Sequence, residues 1–218
     1  MVQILRYSLF CLLSLTLLAS CKSVDRVLFR SPSAILNTRL PALEVTAENG
    51  PLAVSDGALP EDPLRLFQRE VSQNLMEPED SAKFGYAKLI VTSATANRKG
   101  KGLQALQMIT LMAPSLLGVP LERYEATVRA QVQVISSQGK VLGSYSGVGI
   151  SNIRVAMYHG YSQTSAGRLA DIEALRQALN QIRPQLEANS DSLRAELLAS
   201  GPIKAPPSNA DQQISARK

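Results

Sequence analysis

Reactive side chains are scarce in this chain: its 218 residues include one histidine, His159, and two cysteines, Cys11 and Cys21. Nucleophilic catalysis needs a base beside the nucleophile, most often histidine. His159 sits in the loop-like segment Met157-Tyr158-His159-Gly160-Tyr161, where an ordinary surface histidine is expected, so no catalytic residue is assigned and the chain is read as non-enzymatic. Metal binding would fall to carboxylates. Glu61-Asp62, Glu77 with Glu79 and Asp80, and Asp171 with Glu173 lack the spacing of a calcium loop and read as helix caps and solvated faces. No metal and no cofactor is expected. Nucleotide motifs are incomplete. Gly100-Lys101-Gly102 resembles the end of a phosphate-binding loop without its upstream glycine or the hydroxyl after lysine, and Gly147-Val148-Gly149 is followed by Asn152 where a dinucleotide fingerprint has its third glycine.

Charge of one sign is also in short supply. The formal net charge is +5. Loss of residues 1–20 would remove Arg6 and no acid, and the tail from Gly201 holds Lys204, Arg217 and Lys218 against Asp211. Only about +2 is left for the folded part, far from the dense basic surface of a dedicated nucleic-acid binder. Neither nucleic acid nor nucleotide is an expected partner.

What is present begins at the N-terminus. Arg6 supplies a cation, residues 9–18 an apolar run, and Ala19-Ser20 small residues before Cys21, the parts of an export signal. The run is shorter than the ~20 apolar residues that cross a bilayer. Leu18-Ala19-Ser20-Cys21 resembles the bacterial lipobox, in which the cysteine accepts a diacylglycerol and becomes the mature N-terminus. A plain secretory signal or an uncleaved anchor helix is the alternative. Cys11 lies inside the segment that would be discarded, so the mature chain would carry Cys21 alone, with no disulfide partner. Acyl chains at Cys21 would anchor it stably, each buried methylene contributing about 0.8 kcal/mol. By the same resemblance Lys22-Ser23, in place of an aspartate after the cysteine, implies the outer membrane, with the domain facing the periplasm.

Four divisions follow: a signal peptide over residues 1–20, a lipidated N-terminus and tether over 21–39, one globular domain over 40–200, and a disordered Pro-containing tail over 201–218. Within the domain, residues 40–45 read as a short first strand. Asp62-Pro63 opens a helix carrying Leu64, Phe67, Val71 and Leu75 at spacings of three and four. Residues 86–94 read as a strand ending at a basic turn, 97–102. Residues 103–121 are strongly apolar but are broken by Pro114, so a buried helix to about Met112 and then an apolar loop is expected rather than a membrane span.

The clearest pattern is period two over residues 124–134, where Tyr124, Ala126, Val128, Ala130, Val132 and Val134 alternate with polar residues. Ser136-Ser137-Gln138-Gly139 turns the chain and residues 140–150 return, making an antiparallel hairpin. Gly143, Gly147 and Gly149 in the second strand suit a bulge or sharp coiling, with close approach of a backbone or ligand as the alternative. A long amphipathic helix is expected from near Ser165, kinked or ended near Pro184, with a further helical piece over 190–198. The fold class predicted is α/β (α+β): a mixed sheet of about four strands including the hairpin, with helices packed mainly on one face.

Two groups of residues are candidates for binding. Arg98, Lys99 and Lys101 of the basic turn suit anionic headgroups, lipopolysaccharide or a peptidoglycan carboxylate, or form a solvated loop. Tyr158, His159 and Tyr161 suit a sugar- or protein-contacting lip, or cover the end of the core. In element order, residues 40–186 resemble small envelope lipoproteins of the TolB N-terminal, LpoB and YajG-like group, which share an anticodon-binding-like fold. That resemblance implies a membrane-anchored, non-enzymatic lipoprotein that binds or scaffolds a periplasmic protein or glycan. The alternative is an auxiliary lipoprotein of a transport or secretion system handling lipid or exported protein, for which Leu111, Leu116 and Leu117 would be exposed or line a groove.

Overall fold

A computed structural model describes residues 35–55, 59–78, 82–110, 113–116, 119–156 and 161–203. The signal, Cys21, most of the tether, Tyr158, His159, Leu111, Leu117 and the tail beyond 203 lie outside these residues, and Leu116 is described in its backbone alone.

The elements are β1 (Glu44–Glu48), a 3-10 turn (Gly50–Val54), α1 (Asp62–Glu70) running into a π-helical turn (Val71–Leu75), β2 (Gly85–Lys99), α2 (Lys101–Ile109), α3 (Ala113–Leu116), β3 (Glu122–Ser136), β4 (Val141–Val155), α4 (Gln163–Ala188) and α5 (Ser190–Ser200). The strands form one mixed sheet in the order β1-β2-β3-β4. β1 and β2 are parallel, and the other two pairings are antiparallel. This is the α+β fold that the sequence predicts.

The alternation in β3 divides the sheet into two faces. Ala126, Val128, Ala130, Val132 and Val134 are buried in one core with Ala87, Leu89 and Val91 of β2 and with Leu169, Ile172, Leu175, Leu179 and Ile182 of α4. Leu66 and Phe67 of α1 join the same core. The helices α1 and α4 therefore cover one face. The other, carrying Thr127, Arg129, Gln131 and Gln133, is open.

Buried ion pairs fix α1 to α4. Arg168 donates to both carboxylate oxygens of Asp62 at 2.6 and 2.8 Å, and Arg183 Nε donates to Glu70 at 2.8 Å. Ser55 bonds Asp171, tying the 3-10 segment to the same helix.

Several boundaries differ from expectation, each for a physical reason. The domain begins before residue 40: Leu36 is buried and its N–H donates to Asn74 O at 3.0 Å, because Leu36 and Leu40 seat against the π-helical turn. The first strand falls at Glu44–Glu48 since Leu40 pairs with Met76 and Leu43 enters the core. The expected basic turn is strand: β2 continues through Arg98 and Lys99, and the chain turns at Gly100, whose φ of 114° suits glycine. α2 is not wholly buried, because Gln107 points inward while Met108 and Ile109 are 75% and 81% exposed. α4 passes through Pro184 to Ala188.

The strand glycines serve both anticipated purposes. A β-bulge at the start of β4 shifts the register between Val134/Gly143 and Ile135/Val141, with Tyr145 lying over Gly143. Gly147 and Gly149 admit a close approach, and the approaching backbone is that of α4. A Cβ on Gly149 would stand 1.8 Å from Ala174 O, and one on Gly147 would stand 2.3 Å from Ala178 O.

Candidate functional site

The open face presents a row of three cations at one end of the sheet. Lys99 of β2 is in register with Arg123 of β3, and Arg123 with Arg154 of β4. Residues directly opposite in antiparallel strands project from the same face with Cβ atoms ~5 Å apart, and like charges so placed repel. Lys99 is relieved by Glu125, whose carboxylate lies 2.5 Å from its ammonium. Arg123 and Arg154 are exposed and have no acidic partner among the described residues.

Two bulges create the row. Thr92 is the extra residue in β2, between Val91/Ala130 and Ser93/Arg129, and its hydroxyl donates to Arg129 O at 3.2 Å. Before the bulge Lys88 and Ile90 are on the open face and Leu89 is buried. After it the parity reverses, so Lys99 is outward and Arg98 lies on the core side. Leu142, the extra residue in β4, sets the parity that places Arg154 beside Arg123.

Behind the row, Arg98 donates to Glu122 at 3.0–3.3 Å and lies over the Tyr124 ring, 5.1 Å from its centroid. Glu122 is 2% exposed and Arg98 44%. This pair braces the corner where β2 and β3 end, since a buried carboxylate needs a hydrogen-bonded counter-charge.

The open face beyond the row carries polar side chains among apolar ones, Ile90, Val148 and Ile150, the last 63% exposed. Thr95 faces Thr127, Gln131 faces Ser146 with Gln131 Nε2 2.5 Å from Ser144 Oγ, and Lys88 pairs with Glu48 at 2.5 Å. Three strands wide and 15 residues long in β2, β3 and β4, it spans roughly 50 Å. The row stands at the far end from the hairpin turn, and the chain enters the domain near that turn, through Leu40 beside Met76 and β1 opposite Tyr86.

The structure thus brings some of the sequence candidates together. Lys99 is in the row, Arg98 is its brace, and Lys101 is the first residue of α2 at the same corner. Tyr161 bridges to Val155, and its N–H donates to Arg154 O at 3.3 Å, so it stands beside the row. Tyr158 and His159 fall in the segment outside the described residues. Arg123 and Arg154 were missed by sequence reasoning. Their only signal was an arginine at the outward position on each side of a hairpin, which a register count through the Leu142 bulge would have paired.

Among the described residues no group of three or more His, Cys, Asp or Glu side chains could hold a metal, and no helix is long and apolar enough to cross a membrane. Compared with known proteins, the chain matches no family model and no curated protein.

Proposed function

We propose that this protein is a non-enzymatic lipoprotein, held on the periplasmic side of the outer membrane through Cys21, whose open sheet face docks a carboxylate-bearing glycan partner. The anchor rests on Leu18-Ala19-Ser20-Cys21 and the apolar run before it. The observation that carries the docking reading is the cross-strand row Lys99, Arg123 and Arg154 at one end of a sheet face that also presents Thr127, Gln131, Gln133 and Ser146. Hydroxyls and amides suit sugar hydroxyls, and guanidinium groups take carboxylates bidentately. The row also stands at the end of the sheet away from where the tether enters, which suits a partner distant from the anchoring bilayer.

Co-sedimentation of the full chain in detergent with purified peptidoglycan sacculi tests this reading. Binding is expected at about 50 mM salt, to weaken as salt rises through about 500 mM, and to fall about tenfold or more in the double variant Arg123→Gln, Arg154→Gln. Binding that ignores both salt and the double substitution, or no binding at low salt, would contradict it.

A second reading, an auxiliary lipoprotein handling lipid or exported protein, is supported by the exposure of Met108 and Ile109 on α2. Replacing both with aspartate would abolish such handling and leave sacculus binding unchanged.

A further inference from the structure

The open face holds a further cation, set well away from the row. Arg129 of β3 is exposed, faces Ser93 of β2 and Val148 of β4, and pairs with no acid among the described residues. β3 has no bulge of its own between Arg123 and Arg129, so the two side chains project from the same face. The step from Arg123 to Arg129 along the strand spans about 20 Å.

The stretch between them carries no cation. Next to the row, Asn97, Glu125 and Asn152 lie side by side across the three strands, and after them Thr95, Thr127 and Ile150. Glu125 is the acid that holds Lys99. An anion set down on this stretch would lose its water without gaining a counter-charge, and it would meet the Glu125 carboxylate. Uncharged sugar suits the stretch instead. The amide and hydroxyl side chains can bond sugar hydroxyls, and the exposed Ile150 can cover the C–H face of a ring.

Resting on the docking reading above, we propose that the glycan is a long, sparsely charged chain that lies along the strands. It sets one carboxylate on Arg123 and Arg154 and another, about 20 Å further on, on Arg129, with uncharged sugar over Ile150 between them. Its carboxylates are therefore carried on side branches at intervals, not on every sugar. A densely charged polymer such as a polyuronate is a poorer fit, because it places anions over Glu125 and the uncharged stretch. A chain that reaches both cationic positions makes its second contact intramolecularly, whereas a short fragment engages one position at a time. Affinity should thus depend on length, and that dependence should reside in Arg129.

The test uses the full chain in detergent and two probes released from peptidoglycan sacculi: the single disaccharide with its stem peptide, and glycan strands several disaccharides long with their stem peptides intact. In calorimetric titrations at about 50 mM salt, the native protein should bind the long strands, expressed per disaccharide, about tenfold or more tightly than the single disaccharide. Arg129→Gln should erase that gain and leave binding of the single disaccharide unchanged, whereas Arg123→Gln with Arg154→Gln should weaken both. Polygalacturonate of similar length, with a carboxylate on every sugar, should bind about tenfold or more weakly than the long strands. Equal native affinity for the two peptidoglycan probes would overturn the inference and leave the docking reading standing. So would a length gain that survives Arg129→Gln, or polygalacturonate that binds as tightly as the long strands. Absence of binding by both peptidoglycan probes would overturn the docking reading and this inference together.

Discussion

Gly149→Ala adds one methyl group where the sheet and its covering helix are closest. The new Cβ would stand 1.8 Å from Ala174 O and 2.7 Å from Ala178 N, so α4 would have to withdraw by about 1 Å or more. That movement is opposed along the helix. Ser151 Oγ donates to Ala170 O at 2.6 Å, Gln177 and Gln181 hold the edge of β4, and Arg168 and Arg183 are clamped to Asp62 and Glu70. Overpacking of a fixed interface costs about 1–3 kcal/mol, and each stretched hydrogen bond adds about 1 kcal/mol. A total of about 2–4 kcal/mol should lower Tm by roughly 5–15 °C for a chain of this size. Gly102→Ala in α2 is the control, since nothing lies within 4 Å of its Cβ position. Alanine there should leave stability unchanged or raise it by up to about 1 kcal/mol. Thermal unfolding by circular dichroism would refute the reasoning if Gly149→Ala melted within about 2 °C of the native chain.

Other variants probe the remaining supports. Arg168→Met leaves Asp62, which is fully buried, with an uncompensated charge. Urea unfolding should show a loss of about 3 kcal/mol, most of it restored by adding Asp62→Asn. Burial raises the Tyr145 phenol above its usual 10.0, so the folded state holds its proton more tightly than the unfolded one. The stabilisation is full below pH 10.0 and is lost as pH rises through the folded-state value. Tyr145→Phe should flatten that part of a stability-against-pH curve, and an unchanged curve would contradict the assignment.

The parts of the fold that were legible in the sequence are those in which one period runs uninterrupted. β3 could be read because its alternation holds from Glu122 to Ser136 with no bulge on its own strand, and α4 because its apolar stripe from Leu169 to Leu186 faces a single sheet. β2 could be read only as far as Ala94. Thr92 shifts its parity, and the outer half, from Thr92 to Lys99, loses the apolar face that marks a strand. Hence Arg98 and Lys99 suggested a turn. The same bulge, with that at Leu142, sets which cations share a face, so the row exists only in the paired register.

The central claim, that the domain is held on the outer membrane by a lipid on Cys21, is tested most directly by the mass of the mature N-terminus, measured with membrane fractionation for the native chain and for Cys21→Ser. The account predicts an N-terminal Cys21 carrying two or three acyl chains in the outer-membrane fraction, with lipid and outer-membrane location both lost in the variant. A native chain that is unmodified at Cys21 and free of the membrane fraction would contradict it.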